Sequence, residues 1–196
     1  MGRQDQKERS EGVRQSIIDT ALKIGLEEGF EAVSIRKISG RMKYSTGVVY
    51  HYFNDKQEII DAIEASETEK YYAAISQLMD SSADTVTNVV TVFRQSMRLA
   101  LEEPEKYNLI VLHKYSRRTP RPSPWIAHII ESLKRDMQAG KAREMDARKA
   151  AFSIWSSFLG FNLMISRLKG LTAAQAEAMF DVQADMAANE KVWNRC

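Results

Sequence analysis

The sequence predicts an all-α fold of about nine helices. Apolar residues recur every three or four positions along most of the chain, and no convincing run alternates with period two. The breaks between apolar runs fall on residues that start or stop helices. With 44% hydrophobic and 28% charged residues in 196, a sizeable core is available, in one medium domain or a small domain joined to a larger one.

Val13, Ile17, Ala21 and Ile24 trace a first amphipathic helix, which Gly29 is placed to end because glycine accepts a left-handed conformation. Ser34 can cap a short second helix carrying Ile35 and Ile38, and Ser45 a third reaching about Phe53. Asp55 and Glu58 form an acidic relative of the capping box. They open a long fourth helix with Ile59, Ile60, Ile63, Tyr71, Ile75 and Leu78, ending at about Asp80. The small polar stretch 81–84 breaks the chain. Further helices are predicted at about 85–102, 104–117 with Pro104 in its first turn, 124–139, 146–168 and 172–191. Thr172 and Gln175 fit a capping box for the last, and Pro120, Pro122 and Pro124 mark the one long irregular connection. There is no internal repeat and no low-complexity tract.

A net charge of only +2 excludes a polybasic nucleic-acid glue, so any nucleic-acid site must come from local clustering. Cys196 is the single cysteine, which rules out an intrachain disulfide and favours an intracellular setting. The first twelve residues are polar and charged, with no signal-peptide core, and Gln6 breaks a myristoylation pattern. No apolar run approaches the roughly 18–20 residues that cross a bilayer. A soluble, cytoplasmic protein without membrane partners is expected.

The informative window is Ser34–Lys56. Arg36, Lys37, Arg41, Lys43 and Lys56 stand there against Asp55 alone, a local balance of +4. Two short helices meet across a tight turn near Met42–Tyr44. A helix that enters a major groove needs small or hydrogen-bonding groups on its leading side and cations beside it for phosphates. Ser45, Thr46, Gly47, Val48, Tyr50 and His51 supply such groups, while Ile35, Ile38, Val49 and Phe53 can lock the pair onto Val13, Ile17 and Ala21.

The run STGVVYHYFNDKQEIIDAI resembles the signature of the TetR family of transcriptional repressors, in which a short recognition helix ends in Tyr-x-x-Phe and a Lys opens the next helix. The resemblance spans about residues 10–63. It implies that Ser34 and Arg36 lie at the start of a helix crossing the DNA backbone, that Thr46, Gly47 and Val48 sit at the base-reading tip, that Tyr50 and His51 meet phosphates or the groove edge, and that Lys56 at a helix N-terminus faces a phosphate, with Lys37 and Ser45 counted in the same DNA-binding set. Tyr50 reads equally as a packing residue and His51 as a surface histidine. The family commonly places a small residue and then glycine in the turn, where this chain has Met42 and Lys43. The domain division implied is a flexible 1–9, a helix-turn-helix domain at 10–55 and a helical effector-binding and dimerisation domain at 56–196.

Residues 146–168 are apolar almost all round, and the resemblance implies that the last two long helices pair across a two-fold, with Phe158, Leu159 and Asn162 at the interface. An ordinary buried core helix is the alternative. Met97, Tyr107, Leu112, His113, Trp125 and His128, with Phe152, Trp155 and Phe158, are candidates to line a cavity for a small, largely apolar effector, although aromatic residues at helical spacing are usually plain core. Arg117, Arg118 and Arg121 offer an anion site or simply a solvated loop. Three histidines, one terminal cysteine and no catalytic signature leave little for an enzyme, and no cofactor or metal site is expected. A helical adaptor that binds another protein is a further alternative. The reading is a repressor that holds palindromic double-stranded operator DNA as a homodimer.

Overall fold

Local signals decide where each helix starts and stops. The computed structural model describes residues 3–80, 83–113 and 124–188. Among them are nine helices and no strand: α1 Arg3–Glu28, α2 Ile35–Met42, α3 Thr46–Tyr52, α4 Lys56–Leu78, α5 Thr85–Glu102, α6 Pro104–Tyr107, α7 Pro124–Gln138, α8 Ala147–Ile165 and α9 Ala173–Ala188. A single 3₁₀ turn at Phe30–Ala32 follows α1, and α6 runs on into a wider π turn at Asn108–Leu112. The ends expected for the sixth and ninth helices, and the arginines of the proline-rich connection, lie outside the described residues.

Gly29 ends α1 with φ 86° and ψ 148°, a conformation open essentially to glycine alone. Ser34 caps α2 by accepting from the Lys37 amide, and Asp55 caps α4 by accepting from the Glu58 amide at 2.9 Å. Glu58 reaches back to the Asn54 amide at 2.8 Å, closing the acidic box one residue earlier than the usual pattern. Asp84 and Asp146 cap α5 and α8 in the same way. Thr172 and Gln175 bond reciprocally at the start of α9, as their spacing predicts. Ser45 differs: it occupies the N-cap position of α3, but its hydroxyl makes no capping bond.

Two cores result. The first joins α1–α3 to the first half of α4 through Ile17, Ala21, Ile38, Val49, Phe53, Ile59 and Ile63, all at or near zero exposure, and continues into Tyr107 and Leu109–Val111. The second is built around Phe93, Phe158 and Phe180, with Phe93 and Phe158 stacked at 4.2 Å between ring centres. Arg94 fastens α9 to α5 through Glu177 and Asp181, and its guanidinium lies 4.7 Å from the centre of the Phe180 ring. Packing of this kind supplies most of the helical stability, since isolated helices of these lengths are marginal.

One buried charge ties the halves of the chain. Glu67 on α4 is 4% exposed and accepts from Lys70 at 2.7 Å and from Lys106 of α6 at 3.1 Å. Burial pushes its carboxyl upward, but the bonds from Lys70 and Lys106 outweigh that and hold it below the usual carboxylate range. A depressed folded value stabilises the native state above the unfolded value and is lost as pH falls through the folded one. Glu67→Gln is therefore expected to lower stability at neutral pH by about 1–3 kcal/mol. It should also remove part of the acid lability, so that urea titrations of wild type and variant converge as the pH drops below about 4.

Candidate nucleic-acid interface and cavity

The turn between α2 and α3 sets the attitude of α3. Lys43 takes it in the left-handed region, φ 57° and ψ 36°, and is the one non-glycine residue with positive φ among those described. The Tyr44 amide bonds back to the Ser39 carbonyl at 2.9 Å, the 6→1 bond of a Schellman closure. A lysine there costs about 1–2 kcal/mol relative to glycine, which the packing of α3 must offset. Val49 and Phe53 provide it: both are buried in the first core, with the Arg14 guanidinium of α1 4.9 Å from the Phe53 ring centre.

With those two side chains turned inward, the opposite side of α3 faces outward. Ser45, Thr46, Gly47, Tyr50 and His51 are exposed, Tyr50 by 58%, and Val48 is half-buried. A Cβ at Gly47 would meet nothing nearer than the Ser45 hydroxyl at 3.6 Å, so the fold itself does not require glycine there. Its effect is to thin the outer surface of α3. Ser34 stands half-buried at the start of α2, with Arg36 and Lys37 exposed beside it.

The cations of this region are not equivalent. Lys37 donates to Glu28 at 2.7 Å, and Arg41 forks to Glu27 and Glu28 at 2.6 Å each. The bond from Lys37, assisted by Arg41, holds the Glu28 carboxyl below its ordinary range. Lys56 donates to the Glu31 carbonyl at 2.9 Å, clamping the start of α4 to the 3₁₀ turn. Arg36 and Lys43 are exposed and form no ion pair among the described residues. Lys43 and its neighbour Tyr44, 46% exposed, extend the outer face beyond the residues that the sequence singles out.

A second feature lies at the far end of α4. Met79 and Asp80, the start of α5, α7 and Trp155 enclose a cavity of about 480 Å³, a size usual for small-molecule sites. Of the nine side chains expected to line such a site, Trp125, His128 and Trp155 do so. Met97, Tyr107 and Phe158 are fully buried in the cores, while Phe152 is 66% exposed on α8. Leu112 and His113 sit against α4 instead, with His113 Nδ1 3.0 Å from Glu64. Burial, and then the charge of Arg135, holds His128 below the usual histidine range. Asn88, Arg135 and Lys141 also line the cavity, and no spacing in the sequence points to them.

Of the residues expected at a two-fold interface, Phe158 and Asn162 are buried within this chain and Leu159 is half-buried. The outward apolar groups of the last two helices are Phe152, Leu163 and Met164 on α8 with Met179, Val182 and Met186 on α9. Among the described residues there is no cluster of three or more metal-ligating side chains, and no helix is long and apolar enough to cross a membrane.

Two short helices joined by a tight turn, the second locked by its inner side and presenting small and polar groups outward, define a helix-turn-helix DNA-binding protein. Residues 17–63 match the family of bacterial regulatory proteins of the tetR type, and the chain carries a TetR-type DNA-binding segment there. It is 24% identical over 160 residues to the HTH-type transcriptional regulator YobS of Bacillus subtilis, covering 79% of each chain. It is 22% identical over 143 residues to the transcriptional repressor AcnR of Corynebacterium diphtheriae, covering 67% of this chain and 68% of that one. These relatives are regulators and not enzymes. The fold is shared with AibR in complex with isovaleryl coenzyme A and operator DNA, at a TM-score of 0.66, 19% identity, and coverage of 88% and 96%. A TetR-family regulator of Pectobacterium atrosepticum shares it over 100% and 99% of the two chains, at a TM-score of 0.66 and 19% identity.

The unequal cations give a direct expectation. Arg36→Ala should weaken binding to all DNA sequences and reduce the slope of log affinity against log salt by about one. Lys37→Ala should change that slope much less, because its ammonium is already engaged by Glu28. Gel shifts across a salt series measure both, and a larger slope change for Lys37→Ala would reverse the ranking.

Proposed function

We propose that this regulator is a repressor that holds a palindromic operator as a homodimer and lets go when a small, largely apolar effector occupies the cavity beside α4, α5 and α7. The observation that carries the reading is the outer side of α3 with Gly47 at its tip and unpaired cations next to it. Ser34, Arg36, Lys37, Ser45, Thr46, Gly47, Val48, Tyr50, His51 and Lys56 form the DNA face in this reading. Residues 10–55 act as the reading head and 56–196 as the effector and dimer domain, in the cytoplasm where DNA is reached. AcnR is named a repressor, and AibR is seen in complex with isovaleryl coenzyme A and operator DNA, which supports the same division of labour here.

A single head of this size reads too few base pairs to find a site in a genome, so two must act at fixed spacing. The outward apolar groups of α8 and α9, six exposed side chains on two helices that contact each other, supply a surface for that pairing. Phe158 and Asn162 support this surface from within the chain, and Leu159 lies at its margin.

The DNA upstream of the protein's own gene should be shifted in a gel and should resist excess unrelated DNA. Met164→Glu combined with Met186→Glu should leave circular dichroism unchanged, convert the protein to a monomer in sedimentation, and abolish the shift. A double variant that stays dimeric would move the interface elsewhere, and a shift lost to unrelated DNA at equal weight would remove the operator reading.

A further inference from the structure

Among the described residues with a positive φ, three are glycines: Gly29 at 86°, Gly140 at 69° and Gly170 at 78°. Glycine has no Cβ to crowd the following carbonyl, so it enters this region at little cost. The exception is Lys43 at 57°. A lysine there is strained, and such strain persists only where its surroundings hold it in place. Backbone bonds do the holding: the Lys43 amide donates to the Gly40 carbonyl at 3.3 Å, and the Tyr44 amide to the Ser39 carbonyl at 2.9 Å.

The side chain has no partner within the fold. Lys43 is exposed, and its ammonium forms no hydrogen bond or ion pair among the described residues. Glycine would close the same turn through the same two amides without the strain. What the lysine adds is a charge, and it adds it between the last residue of α2 and the exposed Tyr44, Ser45 and Thr46 that lead into α3. The nearby cations Lys37 and Arg41 are already engaged by Glu28 and Glu27. Arg36 is unpaired like Lys43, but it sits in the first turn of α2, whereas Lys43 follows its end. Over that length of helix the two lie roughly 10 Å apart along the axis. One DNA strand presents a phosphate about every 3.4 Å of rise, so each cation can take a phosphate of its own.

Taking α2 and α3 as the DNA face proposed above, we infer that Lys43 is a contact to the DNA backbone, kept in a turn that glycine would fill with less strain. The chain gives up folding stability there for phosphate affinity. A compact, hydrated ammonium engages a phosphate as a point charge and carries no base readout. Lys43 therefore seats α3 on the duplex and does not choose the sequence.

Three substitutions separate charge from strain. Lys43→Gly removes both, Lys43→Gln removes only the charge, and Lys43→Arg keeps both. Each full-length variant is titrated onto two duplexes of unrelated sequence across a salt series, read by fluorescence anisotropy, and is melted without DNA. The phosphate contribution is independent of sequence, so no operator need be known. Lys43→Gly and Lys43→Gln should each reduce the slope of log affinity against log salt by about 0.9 per reading head, equally on both duplexes, and Lys43→Arg should retain it. Lys43→Gly should melt about 2–4 °C above the wild type, and Lys43→Gln should not. Weaker binding together with a higher melting point is a pair that neither a purely structural turn nor a solvated lysine produces. An unchanged slope in Lys43→Gly and Lys43→Gln, with Arg36→Ala still lowering it, would overturn the inference and leave the DNA face standing. A loss confined to one duplex would make Lys43 a base-reading residue and overturn the backbone assignment. A melting point of Lys43→Gly at or below that of the wild type would overturn the exchange of stability for affinity. Failure of the wild type to bind either duplex would overturn the DNA face and this inference with it.

Discussion

Everything in this molecule hangs on α4, because that one helix belongs to both of its working parts. Its first turns are bolted into the head by Ile59, Ile60 and Ile63, at 0–4% exposure. Its middle is held to α6 by the buried Glu67 carboxylate and Lys106, and Glu64 meets His113 just after the π turn. Its last residues lead directly into Met79 and Asp80 at the cavity wall. A helix fixed at mid-length through a buried carboxylate resists independent movement of its ends, since losing a partner of Glu67 strands a buried charge. Tyr71, buried enough that its hydroxyl is pushed up to about 12, adds packing between the fulcrum and the cavity. In the proposed reading a molecule in the cavity works against this helix, whose start is clamped to the 3₁₀ turn by Lys56 and follows α3 by only three residues.

Two locks of different kinds aim the head. Apolar packing of Val49 and Phe53 sets the tilt of α3, and the α1 carboxylates Glu27 and Glu28 hold α2 through Arg41 and Lys37. The exposed ion pairs contribute little individually, so the apolar contact dominates the energy and the ion pairs mainly fix register. The strained Lys43 is tolerable on the same grounds: a cost of about 1–2 kcal/mol is small beside burial of a phenylalanine and a valine, which together bring several kcal/mol.

Local features of the fold were legible in the sequence. The helix stops and starts at Gly29, Ser34, Asp55 and Thr172 follow from short-range chemistry, and the inward set Ile38, Val49 and Phe53 follows from helical spacing. The outer residues of α3 then follow by subtraction. What was not legible depends on partners far along the chain. Lys37 and Arg41 read as free cations because Glu27 and Glu28 lie nine or more residues away. Residues 146–168 are apolar on nearly every side, so spacing alone does not say that Phe158 and Asn162 face the chain's own core while Leu163 and Met164 face out. The cavity was the least legible part: Trp125 and Trp155 were visible as aromatics, but Asn88, Arg135 and Lys141 join them only through the packing of α5, α7 and α8. Ser45 shows a smaller limit, since a residue type suited to capping need not form the bond.

The central claim is that two copies of α3 address DNA together, and hydroxyl-radical footprinting of the dimer on its upstream DNA tests it most directly. The account predicts two protected patches related by a two-fold and lying on one side of the duplex, centred about one helical turn or a whole multiple of it apart. A single patch, or uniform protection without a two-fold, would contradict it.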